Sequence, residues 1–561
     1  MAASPPDEGL TPADQAVSSS QSQYSEPSGP SERSESSESG DPSEPSGPSG
    51  CSESSEPTDP SEPSDSSETS EPSTPKSNPF RDLLMSEDDC QRASEVEISQ
   101  RQALEDLRIL ERVVRGGYAG FHVLAKEGIV WDEVFGSMES AIESLGEPIA
   151  VDAFQFSLIE NLAHIQDRHF ALWRINEDGS RRFARVGMVQ SAYLGNVRLA
   201  REEDSLRIVE APDETFVTHE LVKCPGLDLE HTVRRIVDDG TEQFQWGLLV
   251  LSPEAQPGVE CKTLAPSGEQ GSMTVSFSPL DFDRQPPSRG SRLLFELFSD
   301  EDTPRLQINS FRTGDPEATE AFLETAEKLR EERVILVDLR GNQGGSDGVA
   351  RDWFRRLTSD TFGYHDMEEL KSDVTLQGDL NVYTCMHARE QRMRGPEGSA
   401  RTEEAMNRAL ARLTDAENRH GSSFQNISRR QAAPIHGTAA ERFHGTLLLL
   451  VDGRCASACE NFIMYARQLP STVVIGENTA GVWRIAEMRP YRLPNSGIWV
   501  TVGYKVFHDA GHSPENIEGR GHLPDIWLHT SNSLDIASRI GSCLQEPACE
   551  ASTCLNGGAK P

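Results

Sequence analysis

The chain has 561 residues, with 91 acidic against 53 basic side chains and a formal charge of −38. That length allows more than one domain and a sizeable core. The charge repels phosphates, which argues against nucleic-acid binding and docking on anionic membranes, and no apolar run approaches the ~20 residues that span a bilayer.

Residues 1–78 are Ser, Glu, Pro and Gly with almost no aliphatic content. Such a segment cannot bury enough apolar area to offset chain entropy and is expected to be a disordered tail or spacer. Its start, Met1-Ala2-Ala3-Ser4-Pro5, has neither a basic n-region nor an apolar h-region. It does not read as a secretory signal, which leaves a cytoplasmic location or export by another route. Ile98, Leu104, Leu107, Leu110 and Val113 then recur at helical spacing, and similar patterns follow over 131–145 and 151–164. Residues 79–182 are read as an N-terminal helical cap. Residues 183–300 read as β-rich, with short strands over 183–215, a helix-like stretch at Leu229–Val237, and strands at Trp246–Leu251 and Met273–Phe277. This pattern fits either a degenerate PDZ-like module or an irregular β insertion.

From 301 to 535 the pattern becomes α/β. Leu306–Phe311, Val334–Leu339, Leu447–Val451 and Val473–Ile475 are apolar runs separated by helical stretches at 316–331, 346–357 and up to about Leu469. Unalternating apolar strands interleaved with helices indicate a sheet covered on both faces. Residues 360–440 are charged and largely helical, and read as an insertion serving as a lid or as the contact of a homo-oligomer. Residues 536–561 form a Cys-containing tail. Of the ten cysteines, Cys455 and Cys459 read as small, buried, reduced thiols. Cys543, Cys549 and Cys554 could pair or stay free, and their spacing matches no zinc pattern.

Two turns carry chemistry. Asp338-Leu339-Arg340-Gly341-Asn342-Gln343-Gly344-Gly345 follows a buried strand and precedes a helix, where glycines let backbone N–H groups point at an anion. It lacks the Lys-Ser/Thr ending of a nucleotide-binding loop. Asp452-Gly453-Arg454-Cys455-Ala456-Ser457-Ala458-Cys459-Glu460 also joins strand to helix. Ser457 there is either an ordinary N-cap or a nucleophile placed at the positive end of a helix dipole. Both turns should emerge at one end of one parallel sheet.

Together with Ile475-Gly476-Glu477-Asn478-Thr479-Ala480-Gly481 and the closing Ile517-Glu518-Gly519-Arg520-Gly521-His522-Leu523-Pro524-Asp525, this pair resembles the tail-specific (C-terminal-processing) serine peptidases. Gly128-Ile129-Val130-Trp131-Asp132 and Ile165-Gln166-Asp167-Arg168-His169 look like that family's cap signature and histidine turn. The resemblance covers about 100–530, with 360–440 outside it, and implies a ClpP/crotonase-like α/β core. The position where Ser/Lys members carry their lysine base is Val482. The sequence is therefore similar to the Ser/His/Glu branch that includes tricorn, the chlamydial protease-like factor and the interphotoreceptor retinoid-binding protein.

What the resemblance implies is a serine endopeptidase acting on polypeptide substrates without cofactor or metal. Ser457 would be the nucleophile, His169 the base, and Glu518, with Glu515 as the alternative, the orienting carboxylate. The backbone N–H of Gly344 or Gly345, with that of Ala458, would form the oxyanion hole. Arg340 and Asn342 are expected to hold the turn, and Glu460 to cap the helix or make a structural bond. The rival is a non-catalytic binding protein on the same fold.

Overall fold

The computed structural model describes residues 78–561 apart from 188–189, 203–204, 239–244, 281–293, 300, 313–314, 359–365, 431–442, 470, 509–517, 530–531 and 547–561. The expected disordered tail, Glu515, Cys549 and Cys554 therefore lie outside the described residues.

Helix α1 (Gln100–Gly117) begins at Ser99, whose side chain accepts from the Gln102 N–H in a reciprocal capping box. Helices α2 (Gly120–Lys126), α3 (Trp131–Glu143) and α4 (Val151–Leu162) follow. The apolar stripe read from the sequence, Leu107, Leu110 and Val113, is buried with Met138, Ile142, Phe154 and Leu158. That same core includes Val374, Tyr491, Val500 and Val502 from much later in the chain.

Strands β1 (Ala171–Ile175) and β2 (Arg181–Arg185) pair antiparallel. Then come β3 (Ser191–Glu202), β4 (Ser205–Glu210), β5 (Glu220–Lys223), β6 (Val233–Asp238), β7 (Gln245–Ser252), β8 (Val259–Leu264) and β9 (Gln270–Val275). They lie in the order β9-β8-β5-β4-β3-β7-β6. The helix expected at Leu229–Val237 shrinks to one turn, Leu229–Thr232, and the rest is β6. Tertiary pairing overrides the helical spacing here: Val233 lies opposite Leu248 and Ile236 opposite Gln245. The module is a sheet rather than strands arranged around one helix.

The α/β centre contains β10 (Phe295–Phe298), β11 (Arg305–Ile308), α5 (Pro316–Leu329), β12 (Val334–Asp338) and α6 (Asp347–Thr358). Next are β13 (Asp366–Ser372), α7 (Asp373–His420, broken at Gly395-Pro396) and β14 (Gln425–Arg430). The chain closes with β15 (Thr446–Val451), α8 (Ala458–Ala466), β16 (Thr472–Gly476), β17 (Ile485–Arg492), β18 (Trp499–His508), β19 (Ile526–His529) and α9 (Ser533–Gln545). Strands β11, β12, β15, β16 and β19 run parallel, and β19 also pairs parallel with β6, so core and module share one continuous sheet. The apolar runs Val334–Val337 and Leu447–Val451 are buried, as a sheet covered on both faces requires.

The segment read as an insertion is built into the fold. Strand β13 pairs antiparallel with β18, Met367 opposite Phe507, within a second sheet that also holds β14, β17, β1 and β2. Cys90 and Cys385 of α7 form a disulfide across 295 residues. Cys224–Cys261 and Cys455–Cys459 are also bonded, which corrects the expectation that the last two are reduced thiols. Their side chains meet at the start of α8, a proximity that residue spacing alone does not reveal. Among the described residues no helix is long and apolar enough to cross a membrane.

Closing a loop as long as Cys90–Cys385 removes on the order of 5 kcal/mol of unfolded-chain entropy, against about 2 for the five-residue loop at 455–459. Cys90→Ala with Cys385→Ala should therefore lower the unfolding free energy by several kcal/mol, read as a shifted urea midpoint against wild-type protein kept oxidised.

Candidate active site

The site begins at the parallel pairing of β12 with β15, where Asp338 lies opposite Leu450. Both strands release their chains at the same end, and the turns that follow are bonded to each other. The Leu339 N–H donates to the Leu450 carbonyl (2.8 Å), the Gly341 N–H to the Asp452 carboxylate (3.0 Å), and the Ala456 N–H to the Asn342 carbonyl (3.2 Å). Arg340 turns back on Asp338 (2.7 Å) and reaches Ser533 (3.1 Å), and Asn342 donates to the Ile308 carbonyl (3.0 Å). Both residues are thus committed to holding the turn.

Gly344 sits at φ +96°, and a β-carbon there would lie 2.6 Å from the Ala456 carbonyl oxygen and 3.0 Å from the Ser457 β-carbon. Only glycine permits this approach. The Gly344 N–H donates to Asn342 Oδ1 (2.9 Å), so of the two oxyanion donors expected in this turn it is the one already engaged. Among the described residues the N–H groups of Gly345 and Ala458 have no acceptor.

Ser457 stands at the N-cap of α8 with φ 57° and ψ −120°. Non-glycine residues rarely adopt a positive φ, and holding one there costs about 1–3 kcal/mol that the surroundings must supply. Glu460, fully buried, supplies much of that restraint. Its carboxylate accepts from Ser457 N (3.1 Å), Val482 N (2.8 Å), Gly481 N (2.8 Å) and Thr479 Oγ1 (2.6 Å). Burial pushes the Glu460 carboxyl above its ordinary range, and these hydrogen bonds oppose the shift. The Ser457 N–H also donates to the Val482 carbonyl (3.1 Å).

His169 arrives from the turn after α4. Asp167 Oδ1 accepts from the His169 N–H (2.8 Å) and the Phe170 N–H (3.3 Å), a local turn that fixes the backbone. The ring is buried, and Nδ1 has no partner. Burial first, then the charges of Arg185 and Arg168, lower its pKa to about 3 and keep the imidazole neutral at physiological pH. Arg185 reaches over this turn, donating to the Arg168 carbonyl (3.3 Å).

Glu518 is buried beside Asp167. Its oxygens accept from Arg168 N (3.2 Å), Trp483 N (2.9 Å) and Arg484 N (2.7 Å). Burial and the Asp167 charge push its carboxyl up, and burial also raises Asp167, so the pair resists losing both protons. The Tyr118 hydroxyl lies against Asp167, and its own pKa is raised well above the usual phenol value by burial and that charge. Arg168 additionally donates to the Ala480 carbonyl (3.1 Å), and Arg484 pairs with Glu127 of the cap (3.1 Å).

Segment 479–485 is therefore the strip that joins the parts. One end is bonded to Ser457 and Glu460, the other to Glu518 and the histidine turn. Among the described residues no hydrogen bond links Ser457 to the His169 ring, or that ring to Glu518. The hydrogen bonds of the Glu518 carboxylate among the described residues all come from backbone N–H groups, one of them that of Arg168, next to His169. Sequence reasoning singled out neither Asp167 nor Tyr118 for a role, and left Glu460 between a cap and a structural bond. For Asp167 the signal was an aspartate two residues before a candidate histidine, the spacing of a side-chain-to-backbone turn. Among the described residues no group of His, Cys, Asp and Glu is placed to hold a metal ion.

Residues 303–528 match the family model described as peptidase family S41. No curated protein matches the chain. Among solved structures, mature CPAF complexed with lactacystin aligns at 14% identity over 82% of this chain and 99% of that one, with a TM-score of 0.40. The photosystem II D1 C-terminal processing protease aligns at 14% identity over 81% and 98%, TM-score 0.34. A putative peptidase from Parabacteroides merdae aligns at 14% over 78% and 93%, TM-score 0.36.

Two outcomes follow from the geometry. Glu460→Ala leaves the N–H donors of Ser457, Gly481 and Val482 without their carboxylate and should cost about 3 kcal/mol or more in urea unfolding. Arg185→Gln removes a positive charge beside His169 and should raise the pKa of that imidazole, read by NMR titration of the ring against wild type.

Proposed function

We propose, on the premise that residues 303–528 form a domain of peptidase family S41, that this chain hydrolyses peptide bonds with Ser457 as nucleophile and His169 as general base. The observation that carries the serine assignment is its conformation. A non-glycine residue at φ 57°, on the N-terminus of α8 and against the glycine turn, is held in a costly geometry by surrounding bonds. Such strain is what a nucleophile presented at a turn requires.

Ser457 Oγ attacks the scissile carbonyl carbon while His169 takes its proton. The oxygen that becomes negative lies toward the N–H groups of Gly345 and Ala458, each such donor contributing roughly 3 kcal/mol. The protonated imidazole then gives its proton to the leaving amine, and water repeats the sequence on the acyl-enzyme. Glu518 acts on the base through the Arg168 peptide that precedes it, and substrate binding closes the distance from serine to imidazole. Catalytic hydrogen bonds that are long or absent in a free enzyme often form only in the substrate complex.

A second reading keeps the fold and drops the chemistry. The missing Ser457–His169 and His169–Glu518 bonds favour a catalytically inactive ligand- or protein-binding protein on the same fold. The disulfides between described residues favour an oxidising compartment in either reading, against the cytoplasmic alternative.

A fluorophosphonate probe separates the two. The enzyme reading expects labelling of wild type, none of Ser457→Ala, and a loss of about 10³-fold or more in kcat for His169→Ala at unchanged fold. Folded wild-type protein that neither labels nor cleaves casein overturns the enzyme reading.

A further inference from the structure

The disulfide Cys455–Cys459 has no part in the chemistry above, yet it encloses the residue on which that chemistry turns. Its two half-cystines stand two positions before and two after Ser457, so the bond closes a five-residue ring with the serine at its middle (Cα–Cα 5.3 Å). Cys455 lies in the turn and Cys459 in the first turn of α8. The bond therefore straddles the junction where φ reverses sign.

Each end of the ring is also tied down. The Cys455 N–H donates to the Asp452 carbonyl (3.1 Å), its carbonyl accepts from Ala480 N (2.8 Å), and the Cys459 N–H donates to the Ala456 carbonyl (3.1 Å). Both half-cystines are fully buried, in one core with Ala458, Phe462 and Trp353. So short a loop takes little freedom from the unfolded chain, which makes its effect local rather than global. The local effect is to narrow the conformations open to the turn that the bond closes, with Ser457 at its middle.

We propose that Cys455 and Cys459 are positioning residues, and that the hydrolytic activity of Ser457 depends on their being joined. The inference rests on the peptidase reading of this site. Because the sulfurs are buried, the bond forms while the chain folds rather than on the finished surface. The two thiols lose two protons and two electrons to a disulfide oxidant, such as oxidised glutathione, which leaves as two thiols after a mixed-disulfide intermediate. Activity is thereby conditional on oxidative folding.

The test uses full-length protein and the rate of fluorophosphonate labelling of Ser457, with kcat and KM on casein-derived peptides. Cys455→Ala with Cys459→Ala should slow labelling and kcat by about 100-fold while leaving KM within about twofold, as misplacement of a reacting atom does. Cys90→Ala with Cys385→Ala, assayed below its melting temperature, should label at the wild-type rate. Should the 455/459 double variant fail to fold, wild-type protein is refolded over a series of oxidised-to-reduced glutathione ratios. The fraction carrying the 455–459 bond, from peptide mass mapping, should then track the fraction labelled. Equal labelling of the folded double variant and wild type overturns the inference and leaves the peptidase reading standing, as does labelling that ignores the bonded fraction. Wild-type protein that never labels overturns both.

Discussion

The parallel pairing of Val334–Asp338 with Thr446–Val451 is the constraint from which the rest proceeds. More than a hundred residues separate these strands in sequence, yet both leave the sheet at one end, two turns that must share the same few ångströms. Everything chemical about the molecule is a consequence of how that crowding is resolved. The first turn gives way by using glycine at 344, and the second keeps its side chain and accepts a positive φ at Ser457. A left-handed serine is stable only if its surroundings over-determine it. Glu460 does so from inside the helix, and the 455–459 bond does so covalently.

The polar interior around this junction is arranged by side chains that address backbone. Glu460 gathers three N–H groups and a hydroxyl, and Glu518 gathers three N–H groups from two distant turns. Each carboxylate thereby converts a flexible loop into a fixed wall. The cost of burying the charge shows as raised carboxyl pKa values, with several donors in each case reducing it. The imidazole of His169 meets the opposite environment, with positive neighbours and few donors or acceptors, and so stays neutral.

How much of this was legible before the structure depended on the kind of interaction. The strands at 334–339 and 447–451 and the helices at 98–116, 131–145 and 316–331 announce themselves through apolar spacing, because burial acts on side-chain identity. The positions of Ser457, Gly344 and Gly345 were legible for the same reason, as punctuation between such runs. Leu229–Val237 misled, since its apolar spacing fits a helix and only pairing with Gln245–Ser252 makes it a strand. The 360–440 segment was legible as largely helical, as α7 is, but its charge concealed the strand β13. Its Met367 and Leu370 are too few to betray that they bury within a sheet. The bonds of Glu518 were invisible in principle, since a backbone N–H carries no residue identity to read. The disulfides were equally hidden, as pairing is a property of the folded chain.

The bond between Cys90 and Cys385 has a consequence for any cut made in the chain. It ties a residue near the start of the described part to one in α7, so 294 residues lie inside a single covalent circle. That circle takes in the four cap helices, the antiparallel module and the first strands of the α/β centre. A protease that nicks an exposed loop anywhere inside it produces two polypeptides that remain one molecule. The histidine turn and the serine turn, on opposite sides of many such loops, would stay tethered after the break.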